Sequence, residues 1–309
     1  MSEVIRELVE RLCAQDARAL GRVLSILERG GERARVIQRA LVPQVRGCLS
    51  VGVTGPPGAG KSTLVSALTR ELRSRGNTVG VIAVDPSSPV TGGAILGDRL
   101  RMLEHLGDAG VFVRSVASRG HLGGLSVAAV RMIDALDAFG KDVVVLETVG
   151  AGQSEVDVAE VADLTVVVCM PGSGDHVQAL KAGILEVADV LVVNKADHPL
   201  ADRAVAQLQS TLALHASRDS LVPILRSIAT TGEGVRKLAD VLVERAARIS
   251  EPHARRHRRM RAVLAQSVAE RARWHVLNSR NEVHEELTDA IATGRLSLED
   301  AVRRWKCAL

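Results

Sequence analysis

Apolar residues recur at helical spacing over residues 1 to about 45. Two helical faces can be drawn from them, consisting of Val4, Ile5, Leu8, Val9 and Leu12, and of Leu20, Val23, Leu24 and Leu27. The glycine pair Gly30 and Gly31 predicts the end of the second helix, and Pro43 predicts the end of a third. Residues 1–46 are therefore predicted to form an N-terminal helical cap.

The pattern changes at Cys48, where short β-branched runs begin to alternate with helix-length segments. The runs predict seven strands, at 49–54, 78–85, 111–116, 142–147, 164–170, 189–194 and 221–227. Because the runs are apolar throughout, they are typical of parallel strands that are covered on both faces. Helices between most of them indicate right-handed crossovers. Residues 47–250 are therefore predicted to form an α/β domain with a doubly wound, mostly parallel sheet.

Strand patterns end near Pro252, and helical spacing returns. A long basic helix is predicted to run to about Leu277, followed by two shorter helices near 282–293 and 297–305. A helical appendage of this kind on an α/β domain is typical of an oligomerisation arm. Residues 251–309 are therefore assigned to a C-terminal helical oligomerisation arm.

Composition favours a globular protein with a sizeable core, since 46% of the 309 residues are hydrophobic and 25% are charged. Two Phe, two Trp and no Tyr leave the core to aliphatic side chains and weaken any function that depends on base stacking. The four cysteines are far apart, which fits reduced thiols and a cytoplasmic location. The first residues do not resemble a signal peptide, and no apolar run approaches the roughly 20 residues of a membrane-spanning helix.

The net charge is only +4, but residues 254–261 contain five arginines. A nucleic-acid or membrane-surface contact is one interpretation of such a run. The flanking residues continue in helical register, which favours a solvated helix or an oligomer arm. We therefore expect neither a nucleic-acid nor a membrane partner, although a nucleic-acid-binding module stays open as an alternative.

A glycine-rich turn follows the first predicted strand directly and fits the pattern G-x4-G-K-[ST]. It consists of Gly55, Pro56, Pro57, Gly58, Ala59, Gly60, Lys61, Ser62 and Thr63. Glycines let the backbone curl so that its N–H groups point at phosphate oxygens, and the next helix adds its positive end. Lys61 is predicted to contact the β- and γ-phosphates, and Ser62 to ligate magnesium. The turn therefore predicts a nucleoside triphosphate site of the P-loop kind.

The sequence NKAD at the end of a later predicted strand indicates which base is bound. Guanine presents two neighbouring donors, N1–H and the exocyclic amine, and the Asp197 carboxylate can accept from both. Asn194 and Lys195 complete the motif, with the Lys195 stem packing along the base. After another strand, a segment is predicted to close over the base with backbone groups, and it consists of Ile228, Ala229 and Thr230. Together these residues favour GTP over ATP as the bound nucleotide.

Acidic residues near the phosphates are the candidates for holding magnesium. Asp85 and Glu147 end predicted strands, and Asp98 lies in the loop GGAILGDRL. A carboxylate at this edge would contact the metal or its waters, since magnesium keeps several waters. Gln153 stands three residues after Gly150 rather than directly after it, so we assign it no role in positioning water.

These motifs, in this order, resemble the MeaB/ArgK family of GTPases, relatives of the human methylmalonic aciduria type A protein. The likeness spans nearly the whole chain and rests on the strings GPPGAGKST, VIAVDPSSP, GAILGDRLRM, RGHLGGLS, ETVGAGQSE, PGSGDHVQALKAGILEVAD and VVNKAD. The chain departs from the expected pattern at His121 and Ala151, neither of which is a proposed ligand.

The resemblance implies a magnesium-dependent GTP hydrolase that associates with an adenosylcobalamin-dependent acyl-CoA mutase, chiefly methylmalonyl-CoA mutase. Such proteins gate the loading of intact cofactor and the release of damaged cofactor, and protect the mutase from inactivation. They are typically homodimers joined through the C-terminal helices. Whether an adenosyltransferase is a further partner stays open.

The same likeness places the acidic residues in switch loops, with Asp85 and Asp98 in a first and Glu147 in a second. The segment 172–181 resembles a third switch, through which the mutase stimulates hydrolysis. Lys181 is then the candidate for stabilising charge on the transferring phosphoryl group. The catalytic candidates are therefore Lys61, Glu147 and Lys181.

Two other enzyme classes stay open. A metal-insertion GTPase of the nickel-enzyme maturation kind shares the fold class, but the nine histidines and four cysteines show no metal-ligand spacing. A small-molecule kinase would need a second substrate pocket, and NKAD favours GTP over ATP.

Overall fold

The computed structural model describes residues 3–85, 103–105, 107–117, 124–148, 158, 160–172, 187–215, 222–249, 251–278 and 282–306. In these residues the strands are β1 Leu49–Thr54, β2 Val79–Asp85, β3 Val111–Ala117, β4 Val143–Thr148, β5 Leu164–Cys169, β6 Val190–Asn194 and β7 Ile224–Ser227. The helices are α1 Glu3–Cys13, α2 Ala17–Arg29, α3 Gly31–Leu41, α4 Lys61–Ser74, α5 Gly124–Phe139, α6 Ala201–His215, α7 Val235–Arg248, α8 Pro252–Asn278, α9 Glu282–Ala292 and α10 Leu298–Lys306.

The seven strands form one parallel sheet in the order β3-β2-β4-β1-β5-β6-β7. β1 lies in the centre between β4 and β5, with Val53 beside Glu147 and Thr54 beside Val167. The carboxyl ends of all strands therefore meet at one edge, where ligands bind in such sheets. The predicted fold class and all seven predicted strands are confirmed.

Helices cover both faces of the sheet because alternate residues of each strand point to opposite sides. Val143 and Val145 of β4 belong to a core with α4 and α7, whereas Val144 and Leu146 belong to a core with α5. The apolar stripe of α2 completes this second core, together with α1 and α3. The N-terminal helices therefore bury their apolar faces in the same core as the sheet.

The ends of α2 follow from local chemistry. The Asp16 carboxylate accepts from the backbone N–H groups of Arg18 (2.8 Å) and Ala19 (3.2 Å), which caps the first turn. Gly30 ends the helix at φ +73°, a conformation that favours glycine. The structure therefore ends α2 at the glycine pair, as the sequence predicts.

The chain divides into two compact units, Met1–Val263 and Leu264–Leu309. In the first unit, arginines of the basic run bind the body of the protein. Arg259 donates to Ser50 Oγ (2.8 Å) and to Asp163 Oδ2 (3.0 Å), and all three side chains are buried. Arg256 donates to Asp134 Oδ2 (2.9 Å). The run therefore serves, in part, to fix the start of α8 by ion pairs.

The second unit contains a small polar contact and many exposed apolar side chains. Trp305 Nε1 donates to His284 Nε2 (2.9 Å), which joins α10 to α9. The large apolar side chains with the highest exposed fractions in this unit belong to Leu264, Trp274, Leu277 and Leu298. Throughout the described residues, no helix is both long enough and apolar enough to cross a membrane.

Candidate functional site

The turn between β1 and α4 needs glycine at two positions. Gly55 has φ +138°, and a Cβ there would lie 2.1 Å from the carbonyl oxygen of Val168 on β5. Gly60 has φ +86°, and a Cβ there would lie 2.4 Å from Asn194 Nδ2. Both distances are far below van der Waals contact, so only glycine lets the turn pass this close to its neighbours. The predicted P-loop therefore has the strand–turn–helix setting that its motif requires.

The Lys61 side chain is buried inside the curve of this turn. Its Nζ donates to the carbonyl oxygens of Gly55 (2.7 Å) and Pro56 (3.0 Å). Lys61 is also the first residue of α4, so its ammonium group and the positive end of the helix lie together. This combination of charge and backbone N–H groups is suited to binding an anion.

Ser62 and Glu147 are brought together from α4 and β4. Ser62 Oγ donates to Glu147 Oε1 over 2.5 Å, and both side chains are buried. A hydroxyl and a carboxylate are hard oxygen ligands of the kind that Mg²⁺ takes, with phosphates and water completing its shell. In the described residues no three His, Cys, Asp or Glu side chains cluster in a way that could hold a metal. A magnesium site needs no such cluster, because one or two carboxylates suffice.

Asn194 connects three segments that are far apart in sequence. Its Nδ2 donates to the carbonyl oxygen of Ala59 in the P-loop (2.8 Å). Its Oδ1 accepts from Ser227 Oγ and from the backbone N–H of Ala229, both at 3.1 Å. The side chain is buried, so these bonds are shielded from water. Asn194 therefore holds the phosphate turn against the segment that was predicted to close over the base.

The rest of NKAD lies at the surface of the same edge. Lys195 has φ +56°, a left-handed conformation that turns the chain directly after β6. The backbone N–H of Ala196 donates to the carbonyl oxygen of Ser227 (3.0 Å). Asp197 is exposed, so its carboxylate is accessible to a ligand. Ile228 and Thr230 flank the buried Ala229 in the adjoining segment.

Several predicted site residues lie outside the described part of the chain. Asp85 ends β2 at the same edge as Glu147, but its side chain is outside that part. Asp98 and Lys181 lie outside it entirely, and so does Gln153, which was assigned no role. The predicted roles of Asp85, Asp98 and Lys181 stay predictions.

Ser227 is a site residue that the sequence analysis missed. It pairs with Asn194 across β6 and β7, and its hydroxyl donates to Asn194 Oδ1, whose orientation is fixed by the N–H of Ala229 and the carbonyl of Ala59. Its position directly before the segment that begins at Ile228 was visible in the sequence. Its partner was not, because the contact depends on the pairing of two strands and joins residues 33 positions apart in the chain.

Comparison with known proteins identifies the family. The sequence model of the family described as "Methylmalonyl Co-A mutase-associated GTPase MeaB" matches residues 17–284. The chain belongs to the MeaB family. The predicted family is therefore confirmed.

Relatives and a solved structure agree with this membership. A protein of Pyrococcus horikoshii named as a GTPase is 49% identical over 246 residues, covering 78% of this chain and 77% of its own length. GTPase ArgK of Escherichia coli is 43% identical over 197 residues, covering 62% of this chain and 60% of its own. The crystal structure of a LAO/AO transport system kinase has a TM-score of 0.74 at 25% identity, covering 98% of this chain and 97% of that one.

Proposed function

We propose that this chain binds and hydrolyses GTP as a chaperone of an adenosylcobalamin-dependent acyl-CoA mutase. In this role it gates loading of the cofactor and protects or reactivates methylmalonyl-CoA mutase or a related mutase. The observation that carries the nucleotide part is the set of Asn194 bonds, which bring the P-loop, NKAD and the segment beginning at Ile228 to one place. The mutase part is supported by the description of the MeaB family.

Phosphate binding is assigned to the P-loop. Its backbone N–H groups and the Lys61 ammonium group surround the β- and γ-phosphates, and phosphate oxygens replace the carbonyls of Gly55 and Pro56 as acceptors for Lys61. The short distance between the loop backbone and β5 at Gly55 keeps the turn narrow. Lys61 therefore both binds the substrate and offsets charge that develops during hydrolysis.

Base recognition is assigned to Asp197, with Lys195 along the base and the segment from Ile228 to Thr230 closing over it. The exposed carboxylate accepts from N1–H and from the exocyclic amine of guanine. Adenine lacks this pair of donors, so the same carboxylate rejects it. Asn194 acts on the base indirectly, because its side chain holds the backbone at Ala59 of the P-loop and at Ala229 of the segment that closes over the base.

Metal binding is assigned to Ser62 and Glu147, with Asp85 and Asp98 as further carboxylates. Magnesium, when bound, neutralises phosphate charge and holds the phosphoryl oxygens in position. The Glu147 carboxylate is buried beside β1, so it stays at a fixed distance from the P-loop. Lys181 is proposed to stabilise the transferring phosphoryl group when the mutase is bound.

A homodimer is proposed through the second unit. Leu264, Trp274, Leu277 and Leu298 are each more than 60% exposed there. Apolar side chains at this density on one small unit favour burial against another protein surface. In the described residues, no specific contact favours metal insertion or phosphorylation of a small molecule.

Calorimetric titration with GDP, GTP, ADP and ATP in magnesium tests the nucleotide assignment. We expect guanine nucleotides to bind and adenine nucleotides not to. Asp197→Asn should lose guanine nucleotides and gain xanthosine nucleotides, because an amide donor matches the second carbonyl of xanthine. Preference for adenine nucleotides in the unchanged protein would overturn the proposal.

The chaperone role is tested separately with a purified methylmalonyl-CoA mutase. We expect the mutase to be retained on the protein in the presence of a non-hydrolysable GTP analogue and to accelerate GTP hydrolysis. Hydrolysis that is unchanged by the mutase, together with no retention, would remove the chaperone role and leave the GTPase assignment standing.

A further inference from the structure

A groove in the described part of the chain lies on the N-terminal helices, remote in sequence from the nucleotide site. It has a volume of about 740 Å³, and a smaller cavity of about 240 Å³ adjoins it at Ile26 and Arg33. We call it the N-terminal groove and define it by Val4, Leu8, Gly21, Arg22, Ile26 and Arg33.

One stripe of each helix lines the groove. From α1 the lining residues follow at spacings of three and four, beginning at Val4 and including Leu8. From α2 they follow the same spacing through Gly21, Arg22 and Ile26. Two neighbouring stripes of this kind form a channel into which the side chains of a third helix can pack.

The channel has an apolar floor and a basic rim. Val4 is 74% exposed, and Leu8 and Ile26 are only partly buried, so apolar surface remains open to solvent. Four rim arginines, Arg18, Arg22, Arg29 and Arg33, make no ion pair with any carboxylate of the described residues. Glu7 is the one acidic residue that lines the groove in the described structure. A ligand that complements this surface carries an apolar stripe flanked by carboxylates.

Gly21 keeps the floor open at the middle of the channel. It lies inside α2, where glycine is the least favourable residue other than proline. A Cβ added there would meet no atom within 4 Å, apart from the backbone of its own helix turn. The position therefore tolerates a larger side chain in the fold, and the space above it is available to a ligand.

From these observations we infer that the N-terminal groove docks an acidic amphipathic helix of a partner protein. The partner's apolar stripe packs on Val4, Leu8 and Ile26, and its flanking carboxylates bind Arg22 and Arg33. A lipid surface is the less suitable occupant, because the apolar residues lie in a concave channel rather than on a convex ridge. This inference does not depend on nucleotide binding.

The experiment uses the full chain and a fluorescein-labelled peptide of about 18 residues, with Leu at helical a and d positions and Glu and Gln elsewhere. We expect the acidic peptide to bind and a peptide with Lys in place of Glu not to bind. Gly21→Leu should weaken binding of the acidic peptide about tenfold, because the leucine side chain fills the channel. The midpoint temperature of thermal unfolding should stay the same or rise in this variant. Arg22→Glu with Arg33→Glu should weaken it by a similar factor.

Arg39→Glu is the matched control, because Arg39 is an exposed arginine of α3 that does not line the groove. Binding of the peptide should be unchanged within about twofold in this variant. Equal losses for Arg39→Glu and the groove variants would indicate diffuse charge attraction and overturn the inference. Failure of the acidic peptide to bind would do the same. The inference would also be overturned if the unchanged protein sedimented with phosphatidylserine vesicles and Gly21→Leu did not. That result would reassign the groove to membrane binding.

Discussion

The side-chain amide of Asn194 donates to the main-chain carbonyl of Ala59 over 2.8 Å, although 135 residues separate the two in the chain. This bond makes the position of the phosphate turn depend on a residue of the base-recognition motif. Ser227 and Ala229 donate to the other end of the same amide. A change at Asn194 should therefore affect both ends of a bound nucleotide at once.

Replacing Asn194 with Ala should destabilise the fold and weaken nucleotide binding together. It leaves the carbonyl of Ala59 and the N–H of Ala229 without their buried partner, at a cost of about 1–3 kcal/mol. Denaturant unfolding and calorimetric titration with GDP measure the two effects. Asn77→Ala serves as control, since its amide makes one longer bond of 3.3 Å to the carbonyl of Leu72. If both variants lost the same stability and the same affinity for GDP, Asn194 would have no special role in connecting the two segments.

Gly55→Ala should abolish nucleotide binding by displacing the P-loop. The added Cβ would lie 2.1 Å from the carbonyl oxygen of Val168, which neither strand can relieve without moving. Gly58→Ala is the matched variant, because a Cβ at Gly58 meets nothing within 4 Å and costs only the strain of φ +77°, about 1–2 kcal/mol. GDP titration of both variants decides the matter. If Gly58→Ala lost binding as completely, close packing at Gly55 would not be the cause.

Glu147→Gln should reduce the contribution of magnesium to GTP binding. The amide oxygen still accepts from Ser62, but the negative charge that attracts the cation is gone. Titrations with and without magnesium should show at least about a tenfold smaller magnesium effect in the variant. Glu71→Gln, on the same helix as Ser62 but bound to Arg75, should leave the magnesium effect unchanged. An unchanged effect in Glu147→Gln would remove Glu147 from the metal site.

Arg259→Met should be destabilising, because it removes the nearer of the two arginines that pair with the buried Asp163 carboxylate and leaves Arg255 at 3.6 Å. Removing one member of a buried ion pair costs about 3–5 kcal/mol, and the remaining arginine places the loss at the lower end of this range. The neighbouring Arg258 is exposed, so Arg258→Met should change the free energy of unfolding by less than about 0.5 kcal/mol. Chemical denaturation of both variants gives the comparison. Similar stabilities would mean that the basic run is a solvated surface after all.

Alkaline pH should destabilise the protein through Cys169. Burial raises the pKa of this thiol from 9.0 to about 12. The unfolded chain therefore loses the thiol proton first, so stability is complete below pH 9 and falls as the pH rises towards about 12. Between pH 8 and pH 10.5 the free energy of unfolding should fall less for Cys169→Ala than for the unchanged protein. A loss of the same size in both would contradict this.

Much of the fold could be predicted from the sequence, for a physical reason. Strands buried on both faces need apolar residues at every position, so β4 and β5 stand out against the helices on either side. The P-loop was equally clear, because its glycines serve backbone geometry that no other residue allows. Local patterns of this kind do not depend on distant partners.

Contacts between distant segments could not be predicted in this way. Helical spacing indicated the stripe of α2 but not that it packs on α5 beside the sheet. Five arginines in eight residues indicated charge, but the carboxylates that hold three of them, Asp134 and Asp163, lie about a hundred residues away. The amide of Asn194 is a third case. Each depends on strand order and on which helix covers which face.

Both tryptophans of the chain, Trp274 and Trp305, lie in the second unit, and there is no tyrosine. Intrinsic emission excited at 295 nm therefore comes entirely from residues beyond Val263, whereas the P-loop and NKAD lie in the unit that ends there. Any change in that emission when nucleotide is added would therefore report on the second unit, with no contribution from the unit that contains both motifs.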